Sequence, residues 1–251
     1  MKSCILHSKN DLASANIFSY LIKSSSGIAH LELETLTNPD AQLLESHSAD
    51  YFIAVSRHRS ESGEKSLTVH TPGNWGANDM GGEPRKISYC YPSMVALLLR
   101  ELHKRNELGW TVSLEADHHG PSLNKPLVFI EIGSSENEWK NETAGKIVAE
   151  SVFNAINNIG TSPKPKIAFC AGGTHYASAF TKHVLSGELA PCHILQKYKA
   201  DEFDFEMFRQ AMERTCEKPE IVAIDWKGVK GADREKIIGF CKEYGIGFER
   251  I

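Results

Sequence analysis

Leu127-Val128-Phe129-Ile130, and Ile167-Ala168-Phe169 within Lys166-Ile167-Ala168-Phe169, carry apolar side chains on consecutive residues, which restricts the folds open to this chain. Successive side chains of a strand point to opposite faces, so a run without alternation needs cover on both. Such strands belong in the middle of a sheet sandwiched by helices. Strand-like runs recur at 3–7, 51–57, 66–70, 111–117, 127–132, 166–171, 192–198, 221–226 and 247–251, with a weaker one at 31–36. Helical patterns lie between them: Asp11 to Lys23, Met94 to Lys104 behind Pro92, Glu138 to Asn158, and 176–186, 204–216 and 233–244. Strand and helix alternate clearly in the second half. The closer strand spacing of the first half predicts some antiparallel pairing. The expectation is an α/β chain: one three-layer α/β/α domain over 1–251 with a mixed, largely parallel sheet. Gly160-Thr161-Ser162-Pro163-Lys164-Pro165 reads as a rigid connector inside it.

Composition narrows the function classes. A net charge of −4 argues against gripping nucleic acid by bulk electrostatics, but leaves room for a local basic patch. The six cysteines are scattered, contain no CxxC pair and mostly adjoin apolar runs, so they read as reduced core residues. The first residues are too short an apolar run for a signal peptide. No stretch approaches the roughly 20 apolar residues of a membrane span. These features predict a cytoplasmic protein without membrane contact or an obligate protein partner, and a monomer.

Four polar stretches each sit where an apolar, strand-like run ends: His70-Thr71-Pro72-Gly73-Asn74-Trp75, Glu115-Ala116-Asp117-His118-His119-Gly120-Pro121, Glu131-Ile132-Gly133-Ser134-Ser135, and Gly172-Gly173-Thr174-His175-Tyr176. Loops at strand ends are where α/β proteins assemble reaction sites, and four such stretches point to an enzyme. If the strand at 111–117 continues, Glu115, Asp117 and His119 share a face and His118 points away unless the turn begins early. The alternative is an edge strand with a solvated polar face. Glu131 sits inside an apolar strand, where a carboxylate must be paired, protonated or metal-bound; a salt bridge is the plain reading. Gly133 and Ser134 could present amides to an oxyanion, although Ser135-x-x-Glu138 equally fits a helix capping box. Gly172 and Gly173 let backbone approach a ligand, with His175 at the helix start. Pro72-Gly73 marks a turn that presents Asn74 and Trp75 on a loop, either for stacking or as a packed lid.

Imidazole and carboxylate together suit Zn²⁺, but no HExxH spacing exists, so ligands must come from separate strands. No GxSxG elbow appears, and no cysteine lies in a catalytic-looking turn. Water activated by a metal or a general base is favoured over a covalent mechanism.

At these stretches the chain resembles the archaeal and plant type of D-aminoacyl-tRNA deacylase. The matching residues are His70-Thr-Pro-Gly-Asn-Trp75, Glu115 with His118-His119-Gly120-Pro121, Glu131-Ile-Gly-Ser134-Ser135 with Glu138-Trp139, and Gly172-Gly173 with His175-Tyr176-Ala177. They occur in order over more than 100 residues, and the length suits the whole family domain. Two departures stand out. Threonine is usual where Asp117 stands, and a proline and a basic residue often follow where this chain has Ser178-Ala179.

The resemblance implies a phosphorylase/hydrolase-like fold and zinc-dependent hydrolysis of the ester joining a D-amino acid to the 3′ end of tRNA. The expected metal ligands are His70, His119, Glu131 and His175. Glu115, His118 and Glu131 are the expected catalytic groups. Gly73, Asn74, Trp75, Gly133, Ser134, Gly172, Gly173 and Tyr176 are expected to meet the substrate, with Trp75 or Tyr176 stacking on the terminal adenosine. Lys227, Lys230, Arg234 and Lys236 either contact acceptor-stem phosphates or form a solvated helix face. Two other readings remain: a zinc peptidase or amidohydrolase acting on small amino-acid derivatives, and a non-catalytic module that sequesters charged tRNA. The latter leaves buried Glu131 and the histidine loops unexplained.

Overall fold

The computed structural model describes residues 1–24, 27–78, 80–161 and 163–251. Its elements are β1 (Ser3–His7), α1 (Leu12–Ser24), β2 (Ala29–Glu32), α2 (Ala41–Ser46), β3 (Tyr51–Arg59), β4 (Ser66–His70), β5 (Gly73–Asn74), β6 (Lys86–Ile87), α3 (Pro92–Arg105), β7 (Thr111–Leu114), β8 (Leu127–Ser134), α4 (Glu136–Trp139), α5 (Glu142–Asn158), β9 (Lys166–Ala171), α6 (Ser178–Leu185), β10 (Leu189–Leu195), a 3₁₀ turn (Lys197–Glu202), α7 (Phe205–Glu213), β11 (Ile221–Ile224), α8 (Gly231–Tyr244) and β12 (Gly247–Arg250). The expected strands are all present. The short α2 was not expected; Asp40 caps it by accepting from the amides of Gln42 and Leu43. The helix expected over 138–158 is two helices, because Asn141 starts a new one by capping the Ala144 amide. Of the connector 160–165, Ser162 lies outside the described residues.

The strands form a six-stranded ladder, β2-β1-β3-β8-β4-β7, and a four-stranded one, β10-β9-β11-β12. Helices flank the mixed, mostly parallel sheet on both sides. Where one continuous sheet was expected, the two ladders meet through residues just after β7. There Ala116 donates to the His175 carbonyl, Ala177 to that of Leu114 and Asp117 to that of Ile194. The expected antiparallel pairing falls between β4 and β8, whereas β7 is parallel to β4.

Burial explains the consecutive apolar runs. In β3, Ile53 and Val55 join the large core beneath α1, α3 and α5, while Phe52 and Ala54 join a second core with Leu33, Leu36 and Leu44. The face carrying Phe52 and Ala54 then changes character along the strands. Register sets Ser56 beside Glu131 and His58 beside Gly133, with Thr68 and Ser66 of β4 opposite Glu131 and Gly133. One sheet face thus runs from apolar to polar, and all these polar residues are buried. Five of the cysteines are buried and none is in a disulfide, as expected of core thiols.

Candidate metal centre

Glu115 follows the last residue of β7 and its side chain is fully buried. Histidines from four segments converge on it. His58 Nδ1 lies 3.0 Å from Oε1, and His175 Nε2, His118 Nε2 and His70 Nδ1 lie 3.0, 3.5 and 3.9 Å from Oε2. Although close, these nitrogens are poorly directed: neither Glu115 oxygen, nor His70 Nδ1, makes a geometrically sound hydrogen bond. A buried polar atom left without a partner costs free energy.

Backbone contacts orient two of the imidazoles. His118 Nδ1 is 2.9 Å from the Ala116 carbonyl and His119 Nδ1 is 2.6 Å from that of Gly120. A carbonyl only accepts, so Nδ1 carries the proton in both rings and Nε2 keeps its lone pair. His119 reaches this pose with a left-handed backbone, φ +44°, which disfavours non-glycine residues. Its Nε2 lies 3.2 Å from His70 Nε2. Burial, then the neighbouring imidazoles, lowers His70 well below the usual histidine range. Burial lowers His118 to about 3 and His119 to about 4. All three are neutral near pH 7, the form in which imidazole binds a metal.

The two carboxylates separate. Burial would raise Glu115, but His175 and His58, with the fields of His70 and His118, hold it well below the usual range. Burial, the Glu115 charge and Asp11 push Glu131 well above it. The lower proton affinity therefore belongs to Glu115 and the higher to Glu131. Glu131 Oε2 lies 3.8 Å from His58 Nδ1. The Tyr176 hydroxyl, 2.9 Å from His58 Nε2, closes that side of the cluster.

Donor atoms of His70, His118 and His119 fall within 4.8 Å of one another, as do those of His58, Glu115 and His175, and of His70, Glu115 and Glu131. All four expected ligands, His70, His119, Glu131 and His175, are therefore in the cluster, although no one of these sets holds all of them. His118, expected to serve in catalysis, joins the all-imidazole set. The donors are also not all at strand ends. Glu131 is inside β8, and β4 reverses direction against it, so the cluster occupies a sheet face.

Beside His118 and His119 opens a cleft of about 140 Å³, lined also by Gly73, Asn74, Trp75, Gln196 and Lys199. Several substrate-contact expectations change. Trp75 is 1% exposed and packs on Phe169 and Phe203, so no ring face is free for a base. Asn74 holds the loop above the cleft by donating to the Gly81 and Glu83 carbonyls at 2.8 and 3.1 Å. Gly133 and Ser134 end β8 between β3 and β4. A Cβ on Gly133 would come within 2.6 Å of Ser66 Oγ and 2.8 Å of His58 Cδ2, so this glycine makes room for His58. Gly172, with φ +126°, backs onto Asp225 and Val229, and its amide donates to the Leu195 carbonyl. Neither it nor Gly173 lines the cleft. Ser135 sits at the N-cap of α4, but its hydroxyl donates to Glu138 Oε2 at 2.6 Å in place of a side-chain bond to the helix amides.

Asp117 departs furthest from expectation. The strand ends at Leu114, alternation stops, and Asp117 turns from Glu115 and His119 toward β10. It accepts from the Ile194 amide at 2.8 Å and meets His193 Nδ1 at 2.6 Å, while His193 Nε2 donates to the Arg214 carbonyl at 3.0 Å. His58 and His193 were not anticipated. His58 alternates with Ser56 along β3, a polar period that the flanking Arg57 and Arg59 disguise as a solvated strand end.

Residues 45–249 match the family model described as D-aminoacyl-tRNA deacylase. This chain belongs to that family. The Thermococcus kodakarensis D-aminoacyl-tRNA deacylase is 44% identical over 78% of this chain and 72% of the relative. The Methanococcus vannielii D-aminoacyl-tRNA deacylase is 34% identical over the full length of both. A crystal structure of a conserved protein of unknown function superimposes with a TM-score of 0.91 at 27% identity, covering 99% of this chain and 95% of the other. No helix among the described residues is long and apolar enough to cross a membrane.

Proposed function

We propose that this member of the deacylase family hydrolyses the ester of D-aminoacyl-tRNA, releasing D-amino acid and tRNA, and that it does so with a bound zinc ion. One observation carries the metal: a fully buried carboxylate, Glu115, surrounded by imidazoles yet without a directed hydrogen bond at either oxygen. The donor set fits zinc, which accepts imidazole nitrogen and carboxylate oxygen together. His70, His118 and His119 would hold it, with Glu115 alongside. When bound, zinc acidifies water and polarises a carbonyl.

The remaining chemistry belongs to the chain. An aminoacyl ester is already activated, so water must be positioned and developing charge stabilised. The cleft beside His118 and His119 receives the aminoacyl end, with Gly73 and Gln196 on its walls. Glu115, the ionised carboxylate, accepts the proton from the attacking water. His175 and His58 flank that carboxylate, each 3.0 Å from one of its oxygens. Glu131, the carboxyl of higher proton affinity, keeps a second negative charge out of the cluster, and Tyr176 fixes the His58 ring.

The test pairs metal content with chirality. D- and L-tyrosyl-tRNA are given to wild-type protein and to His118→Ala and His119→Ala variants, with bound metal measured by elemental analysis. The reading expects D-selective turnover, and loss of metal and rate together in both variants. Full turnover by rigorously metal-free protein would sink the zinc proposal. Equal D and L rates would sink the chiral one.

A further inference from the structure

Trp75 is buried and offers no ring face to a base. We propose that Tyr198 is the stacking platform for the 3′-terminal base of the RNA, and that Lys197, Lys227 and Lys230 hold the phosphates leading to it. This rests on the deacylase reading for the identity of the RNA.

The placement supports it. Tyr198 is 54% exposed, on the 3₁₀ turn that follows β10. Two neighbours in sequence, Gln196 and Lys199, line the cleft. Gln196 is 3% exposed and its Oε1 has no partner, so that wall of the cleft has an unmet acceptor. The turn is anchored at both sides: the Lys197 amide donates to the Gly173 carbonyl, on the loop that carries His175, and Lys236 Nζ donates to the Ala200 carbonyl. A large aromatic ring exposed to water on a turn whose flanking residues line the cleft is a surface on which a base can stack.

The cations around it divide into used and free. Arg234 donates to the Trp226 and Val229 carbonyls and covers the Trp226 ring, so it and Lys236 serve the fold. Lys199 pairs with Glu202. Lys197, Lys227 and Lys230 are exposed, and no ion pair holds them among the described residues. The loop bearing Lys227 packs on the Gly172–Gly173 turn, since a Cβ on Gly228 would approach the Gly173 amide nitrogen to 3.0 Å. Lys197 adjoins Tyr198 in sequence, and Lys227 and Lys230 flank the Gly228–Val229 segment that packs on the Gly172–Gly173 turn, to which Lys197 is also bonded.

The experiment is a double-mutant cycle between protein and RNA. Binding of a minihelix with an unpaired CCA end is compared with that of the same minihelix lacking the terminal base, by fluorescence anisotropy. Wild-type protein should lose about tenfold in affinity when the base is removed. Tyr198→Ala should bind both RNAs equally, and Tyr198→Phe should behave like wild type. Lys197→Ala, Lys227→Ala and Lys230→Ala should each weaken both RNAs alike and flatten the salt dependence by about one phosphate. Undiminished sensitivity to the base in Tyr198→Ala, or none in wild type, overturns the inference. Because neither RNA carries an amino acid, the result stands apart from D-tyrosyl-tRNA turnover, whose failure would instead remove the deacylase reading.

Discussion

At the scale of single residues, the cluster depends on contacts that hold imidazoles still. Tyr176 makes one of them, 2.9 Å from His58 Nε2. Tyr176→Phe removes that partner without changing ring volume; the deacylation rate should fall about five- to tenfold, a loss of about 1 kcal/mol, with the melting temperature barely moved. Single-turnover kinetics with D-tyrosyl-tRNA check this, and an unchanged rate would remove Tyr176 from the site. Gly133 acts by omission. The alanine Cβ would press on His58 and Ser66, so Gly133→Ala should destabilise by about 1–3 kcal/mol through overpacking. It should slow turnover as well, and denaturant unfolding alongside kinetics separates the two effects. Chemistry at this scale was legible where a charged residue interrupts an apolar strand, as Glu131 does. It was not legible where a turn cancels alternation. His118 swings into the cluster and Asp117 out of it because β7 ends at Leu114.

Elements were easier to read than their directions. Apolar runs located the strands because burial on both faces leaves a mark in every residue, but the reversal of β4 against β8 leaves none. That reversal is why the site lies on a sheet face. The break between the two ladders was equally hidden, since it rests on a few bonds around Ala116, Asp117 and Ala177. Asp117 and His193 are the side-chain part of that joint, both essentially inaccessible. Removing one partner strands the other in the interior, which costs about 3–5 kcal/mol for a buried pair. Asp117→Ala should therefore lose stability of that order in urea unfolding. Asp117→Ala with His193→Ala should lose less than the sum of the two single changes. Strict additivity would mean the pair does not couple the ladders.

For the whole molecule, the histidines of the cluster set the response to acid. His118 and His119 are lowered to about 3 and about 4 in the folded protein, with burial the main cause, against an unfolded value of about 6.5. Between those limits the unfolded chain binds protons that the native state refuses. Stability is therefore fully present above about pH 6.5 and falls as pH drops toward 4. Each histidine contributes a slope of up to about 1.4 kcal/mol per pH unit, so the pair steepens acid unfolding by up to about 2.7. Glu131 works in the opposite sense: raised in the folded state, it releases stability as pH climbs from the usual carboxylate range through its own elevated value. Zinc should reshape this curve. It binds neutral imidazoles of the folded state, so added zinc should raise the melting temperature near pH 7 in proportion to the logarithm of its concentration. The gain should shrink as acid competes for the same lone pairs. Thermal melts of metal-free protein from pH 4 to 8, with and without zinc, test both statements. A midpoint flat across that range would contradict the neutral histidines of the cluster. A midpoint that ignores zinc at pH 7 would leave the cluster as a proton-linked structural core and move water activation to Glu115 alone.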